Sequence, residues 1–189
     1  MNGIILTVLL ACQAKKSVVI DPPYTYDVPI QSQSTNETEV ADQNRDLAPA
    51  FSLYDLNRQL VTLSQYKGSV VLLNFWATWC EPCQLEMPHL ESLYKELKER
   101  KFVVLAISVD EARTASRVKP ISKRNGYTFP ILLDPSHKVG DAYNPAKTLP
   151  YSVLINAKGE VVWRSESYAP GQEVEIRRRV TEELQKEGF

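Results

Sequence analysis

The feature that most constrains this chain is a run of seven residues, Val70-Val71-Leu72-Leu73-Asn74-Phe75-Trp76, leading directly into Ala77-Thr78-Trp79-Cys80-Glu81-Pro82-Cys83. A nearly unbroken run of β-branched, aliphatic and aromatic residues reads as a strand buried on both faces, as in a parallel or mixed sheet with helices on each side. A helical pattern begins at the cysteines, with Pro82 between them. The spacing predicts a strand over about Ser69 to Trp76 running into a helix over about Glu81 to Glu99, with two thiols at the junction. At a helix start the unpaired backbone N–H groups and the positive end of the macrodipole favour an anion. A thiolate there has a lowered pKa, and the thiolate is the reactive form of cysteine. Chemistry is expected at this junction.

The rest of the chain from Pro49 supports such a sheet. Phe51-Ser52-Leu53-Tyr54 and Leu60-Val61-Thr62-Leu63 alternate around Asp55-Leu56-Asn57-Arg58, a β-hairpin pattern, and Ser64 to Gly68 is a turn or one helical turn. Within the helix after the cysteines, Leu90, Leu93, Tyr94 and Leu97 form a buried stripe, and Pro88 is expected to kink the axis by removing one hydrogen bond. Phe102 to Val109 is a second buried strand, so strand, helix and strand make a parallel pair through a right-handed crossover. A helix is drawn over about Ala112 to Arg124, bent or shortened by Pro120 and ended by Gly126. Ile131-Leu132-Leu133 is a short strand, and Lys138 to Tyr143 a short helix. Tyr151 to Ile155 and Val161 to Arg164 flank a turn containing Gly159, a second hairpin. A last helix spans about Gln172 to Lys186, with Val174, Val180 and Leu184 as its apolar contacts.

Cys80, at the helix start and exposed, is the candidate attacking thiolate; Cys83, one turn deeper, is the resolving thiol. Three-residue spacing at a helix start brings the two sulfurs within bonding distance, with Cα atoms about 5–6 Å apart. Exchange would run by thiolate attack, mixed disulfide and intramolecular resolution. A static structural disulfide leaves this placement unexplained. Zinc would need four ligands, and no second cysteine pair is present; the two histidines, His89 and His137, do not complete a site within one chain. His89 reads as a surface or partly buried helix residue. Glu86, one turn past Cys83, can face the thiols or stand solvated on the helix surface. Glu81 between the cysteines carries a charge that opposes the dipole at Cys80.

The segment Phe75-Trp76-Ala77-Thr78-Trp79-Cys80-Glu81-Pro82-Cys83, with Leu149-Pro150 before a strand, a hairpin and a final helix, resembles the thioredoxin superfamily, and within it the TlpA/ResA-like branch of exported, membrane-tethered thiol–disulfide oxidoreductases. The likeness covers about Pro49 to the C-terminus. It implies an α/β, thioredoxin-like three-layer sandwich: a central mixed β-sheet flanked by helices, with an N-terminal β-hairpin and an inserted helical segment over about Asp110 to Asp134. It implies that Glu86 lines the active-site cavity as proton acceptor or modulator of thiol pKa. It implies that Pro150 is cis, faces the thiols and leaves backbone free to pair with an extended substrate. Trp79, Glu81, Pro82, Leu149 and Pro150 are then the substrate-facing residues. Trp79 is the candidate rim for partner docking, while Trp76 is packed. The redox-active Cys80–Cys83 disulfide is the whole redox equipment on this reading, with no metal or organic cofactor required.

The N-terminal part is read separately. Ile4 to Ala11 is almost wholly apolar but too short to cross a hydrocarbon core, which needs about 20 residues as helix. It suits a secretory h-region, although Met1-Asn2-Gly3 lacks the usual Lys or Arg. Leu9-Leu10-Ala11-Cys12 resembles the bacterial lipobox, which implies residues 1–11 as signal peptide and Cys12 as the lipidated first residue of the mature protein. In a host with two membranes, Gln13 rather than Asp after Cys12 favours the outer one by analogy with lipoprotein sorting. Residues 12–48 read as a flexible tether, since Gln31 to Glu39 has no apolar residue and Pro22, Pro23 and Pro29 punctuate the stretch before it. Residues 49–189 are the folded domain.

A formal net charge of −1 provides no basic footprint for nucleic acid. Together these features describe an extracytoplasmic, lipid-anchored, periplasm-facing enzyme that exchanges disulfides with protein thiols, in the reducing direction. Apocytochrome c cysteines before haem attachment are an example by family analogy, with a membrane thiol donor supplying electrons. Two rivals stand beside it. A peroxiredoxin-like thiol peroxidase would want Thr three residues before the reactive Cys, whereas Thr78 is two before Cys80. A tethered, non-enzymatic client-binding module would keep client affinity after both cysteines were replaced.

Overall fold

The computed structural model describes residues 46–189. The signal-peptide reading, Cys12 and most of the tether lie outside the described residues. Seven strands, β1 (Ser52–Asp55), β2 (Leu60–Thr62), β3 (Val70–Trp76), β4 (Phe102–Ser108), β5 (Ile131–Leu133), β6 (Tyr151–Ile155) and β7 (Val161–Glu166), form one sheet in the order β2-β1-β5-β4-β3-β6-β7. β3 pairs in parallel with β4, and β4 with β5, while β1–β2, β1–β5, β3–β6 and β6–β7 are antiparallel. The sheet is therefore mixed, with β3 and β4 at its heart. Every residue of β3 is buried, as its apolar run requires, whereas β7 alternates half-buried with exposed, as an edge strand covered on one face does.

Among the described residues four α-helices flank the sheet: α1 (Glu81–Leu97), α2 (Val118–Asn125), α3 (Lys138–Tyr143) and α4 (Gln172–Lys186). α1 packs against β4 and α4, and α4 against β3. Successive β3 side chains point to opposite faces. Asn74 meets Glu86 of α1 on one face, and on the other the Phe75 ring lies 5.7 Å from that of Tyr143 in α3. This is the three-layer arrangement expected from the buried runs. No helix among the described residues is long and apolar enough to cross a membrane.

Several elements differ from expectation, each for a physical reason. α1 ends at Leu97, short of the expected Glu99, and gives way at Lys98–Arg100 to a single 3-10 turn. The helix drawn over Ala112 to Arg124 is shorter: a 3-10 turn at Ala115–Arg117 precedes α2, which places Pro120 in the helix's first turn, where an N–H has no intrahelical partner to lose. Gly126 then ends it with φ +69°, a left-handed conformation that glycine adopts without strain. Val174 is exposed, and Ile176 takes its place in the core with Val180 and Leu184. Residues 46–48, assigned by composition to the tether, pair with the β6–β7 turn: the Val161 and Ala48 amides donate to the Asp46 and Gly159 carbonyls, and Leu47 bridges Glu160. The inserted segment is tied to α1 by Glu91, whose carboxylate accepts from both the amide and hydroxyl of Thr128 at 2.8 Å.

A candidate thiol–disulfide active site

Cys80 is the N-cap of α1, with extended backbone (φ −85°, ψ 104°) that turns β3 into the helix. Its carbonyl accepts from the Gln84 amide at 3.2 Å, and its sulfur lies 3.2 Å from the amide nitrogen of Cys83, which donates to it. A sulfur in the capping position therefore meets one of the orphan N–H groups of the first turn, so negative charge placed there is stabilised. Pro82 occupies the second helical position, where no amide is needed. The two sulfurs are joined in a disulfide, with Cα atoms 5.3 Å apart.

Exposure departs from the sequence reading. Cys80, expected to be exposed, is 5% exposed, and Cys83 0%. Cys80 remains the more accessible of the two, but it is buried, which no local pattern reports. The exposed element is instead Trp79, at 63%, while Trp76 is buried. Trp79 and Leu149 line a cavity of about 200 Å³ with Phe75, Val109, Asn144 and Lys147, so two of the substrate-facing candidates meet at one concavity. The Leu149–Pro150 bond is cis, and Pro150 is buried. Glu81 stands exposed and Pro82 half-buried at the helix start.

Glu86 is not a solvated helix residue. With Cys83, Met87 and Leu90 it falls on the inward stripe of α1 and is 2% exposed. Its Oε2 accepts from Asn74 Nδ2 at 2.7 Å, and its Oε1 from Ser152 Oγ at 3.5 Å. The second hydrogen of the Asn74 amide goes to Ser152 Oγ at 3.1 Å. Burial pushes the Glu86 carboxyl up from 4.5 to about 7, against the two hydrogen bonds, which pull it down. At neutral pH this carboxyl is divided between its two protonation states, one helical turn from Cys83. Asn74 and Ser152 escaped the sequence reading. The available signal was a polar side chain at an inward position of a fully buried strand, and a hydroxyl two residues after Pro150. His89 is exposed, with its ring 6.2 Å from that of Tyr168.

Known proteins resemble this chain in both sequence and shape. The profile of the AhpC/TSA family matches residues 45–164. A Bacillus subtilis protein named thiol-disulfide oxidoreductase ResA is 43% identical over 115 residues, which is 61% of this chain and 63% of that relative, so the match spans less than two thirds of the relative's length. A thioredoxin-family thiol:disulfide interchange protein from Chlorobium tepidum superposes with a TM-score of 0.65 at 26% identity, over 74% of this chain and 97% of that one. The exposed lipoprotein thioredoxin Etrx1 of Streptococcus pneumoniae superposes with a TM-score of 0.61 at 27% identity, over 71% and 99%.

Proposed function

The chain belongs to the AhpC/TSA family of thioredoxin-like proteins, and from that premise we propose that it is a thiol–disulfide oxidoreductase that reduces disulfides in protein partners. The observation that carries this reading is the Cys80–Cys83 disulfide, with Cys80 as N-cap of α1. In the reduced enzyme the Cys80 thiolate attacks one sulfur of a partner disulfide. The partner's other sulfur leaves as thiolate and takes a proton from solvent, which yields a mixed disulfide. Cys83 then gives up its proton and attacks Cys80 Sγ, the second partner thiol is released, and the Cys80–Cys83 disulfide re-forms. Two electrons pass to the partner. Glu86, one helical turn along α1 and raised by burial to about 7, is the acceptor for the Cys83 proton. A dithiol donor at the membrane reloads the enzyme.

Lipid attachment at Cys12 and an extracytoplasmic location belong to the same proposal. The lipobox-like Leu9 to Cys12 supports them, as does the kinship in fold with a pneumococcal lipoprotein. Apocytochrome c cysteines are one example of such a partner, by family analogy alone.

A peroxidase reading finds less support. The Thr78 hydroxyl is engaged by Asp110, and the Cys80 sulfur has its partner in Cys83. The test is redox equilibration of the full chain with glutathione buffers, followed by assay with a protein disulfide and with hydrogen peroxide. A potential below that of the glutathione pool and multiple turnovers on the protein disulfide are expected. Turnover confined to peroxide, or none with either, would overturn the proposal.

A further inference from the structure

We propose that Asp110 is a positioning residue that fixes the Thr78-Trp79 turn, so that the Trp79 indole and the Cys80 sulfur meet a protein partner in a set relation. Asp110 lies just beyond the end of β4 and is 1% exposed. Its Oδ2 accepts from the Thr78 amide at 2.8 Å and from Ser108 Oγ at 2.9 Å, and its Oδ1 accepts from Thr78 Oγ1 at 2.6 Å. The Asp110 amide in turn donates to Ser108 Oγ at 3.2 Å. From the other side, Gln84 of α1 donates to the Thr78 carbonyl at 2.9 Å. Every polar group of Thr78 is thereby held. The next residue, Trp79, has the most exposed indole of the three tryptophans, and the amide of its neighbour Cys80 donates a hydrogen bond back to the Ala77 carbonyl at 3.1 Å.

Such a clamp is more than a satisfied core carboxylate, because of where it acts. Val109, the residue before Asp110, lines the cavity that Trp79 and Leu149 share. The end of one strand therefore supplies both part of the floor of that cavity and the anchor of its rim. A large aromatic side chain left in solvent makes a useful docking surface only if its backbone is already fixed; otherwise the partner must order it on binding. The clamp serves the encounter with a macromolecular substrate, while a small disulfide, which needs only the sulfur, has no use for it.

This inference rests on the oxidoreductase reading, and the experiment separates the two. Asp110→Asn keeps the volume but puts a donor where acceptors are needed, and Thr78→Val removes one clamp bond with the carboxylate intact. Both are assayed in the full chain, at a temperature where circular dichroism shows each to be folded. Asp110→Asn should raise KM for insulin disulfides about ten-fold, with kcat and the second-order rate toward glutathione disulfide within about two-fold of wild type, and Thr78→Val should move KM the same way by less. Unchanged KM, or equal losses on both substrates, would overturn the assignment; if Asp110→Asn does not fold, Thr78→Val decides alone. Wild-type protein inactive on both substrates would sink the oxidoreductase reading instead.

Discussion

Replacing Glu86 by Gln should remove a pH dependence from the stability of the fold, and the size of the effect comes from the burial of this carboxyl. In the unfolded chain it releases its proton near the ordinary 4.5; in the fold it does so near 7. The native state therefore holds the proton more tightly. Below pH 4.5 both states are protonated and the contribution of Glu86 is fully favourable. As pH rises from 4.5 through 7 the unfolded chain has ionised while the fold has not, so stability falls, and it levels off above 7. The displacement of about 2.5 pH units, at about 1.4 kcal/mol each, makes the total loss about 3.5 kcal/mol, of which about 3 falls between pH 4.5 and 8. A glutamine at this position does not titrate and still offers Asn74 an acceptor oxygen. Asn74 and Ser152 face the carboxyl from β3 and β6 and carry no charge. Tyr168, the titratable neighbour between β7 and α4, is pushed up to about 12 mainly by burial and stays neutral over the range, and its own neighbours His89 and Glu173 cancel in the difference. Guanidinium unfolding of the oxidised proteins, whose joined cysteines do not titrate, should show the E86Q-minus-wild-type stability difference growing by about 3 kcal/mol between pH 4.5 and 8. A difference flat within about 0.5 kcal/mol would refute the argument that burial governs this carboxyl.

Loss of the Asn74 donor by Asn74→Val should raise the Glu86 pKa further, read as a shift of the Glu86 carboxyl signal in NMR titration toward higher pH; no shift would mean that the 2.7 Å bond to Asn74 does not hold the carboxylate. Trp79→Ala should lower kcat/KM on protein disulfides about ten-fold or more, the loss typical of a central aromatic anchor, with the melting temperature unchanged, since the indole is largely in solvent. Ile176→Ala should destabilise by about 2–4 kcal/mol in denaturant titration, whereas Val174→Ser should stay within about 0.5 kcal/mol, because only the former side chain leaves a cavity.

The path of the backbone was legible because its central strands are short runs of buried residues, its edge strands alternate, and both are broken by strong punctuation, as at Gly126 and in the turn containing Gly159. The thiol pair was legible for the same reason: a strand that ends at Trp76 and a helix that starts at Glu81 leave the cysteines at the junction between them. What escaped depends on contacts between distant segments. Asn74 looks like an interruption in an apolar run until Glu86, twelve residues on, and Ser152, seventy-eight on, are brought to it. The burial of Cys80 is likewise a property of the assembled fold and not of its local sequence. The misplacement of Val174 was avoidable, since it lies six residues, or about 240° of helical turn, from Val180, while Ile176, Val180 and Leu184 repeat every four. Residues 46–48 failed for another reason, as strand pairing at an edge needs no particular composition.

Mapping which sulfur joins a partner tests the central claim most directly. Reduced protein is mixed with a peptide disulfide, quenched with acid within milliseconds, and the mixed disulfide located by peptide mass spectrometry, with Cys83→Ser to hold the intermediate and Cys80→Ser as its counterpart. The account predicts adducts on Cys80 in wild type and in Cys83→Ser, accumulating in the latter, and none on Cys83 when Cys80 is replaced. Adducts formed as fast on Cys83, or on neither cysteine, would contradict it.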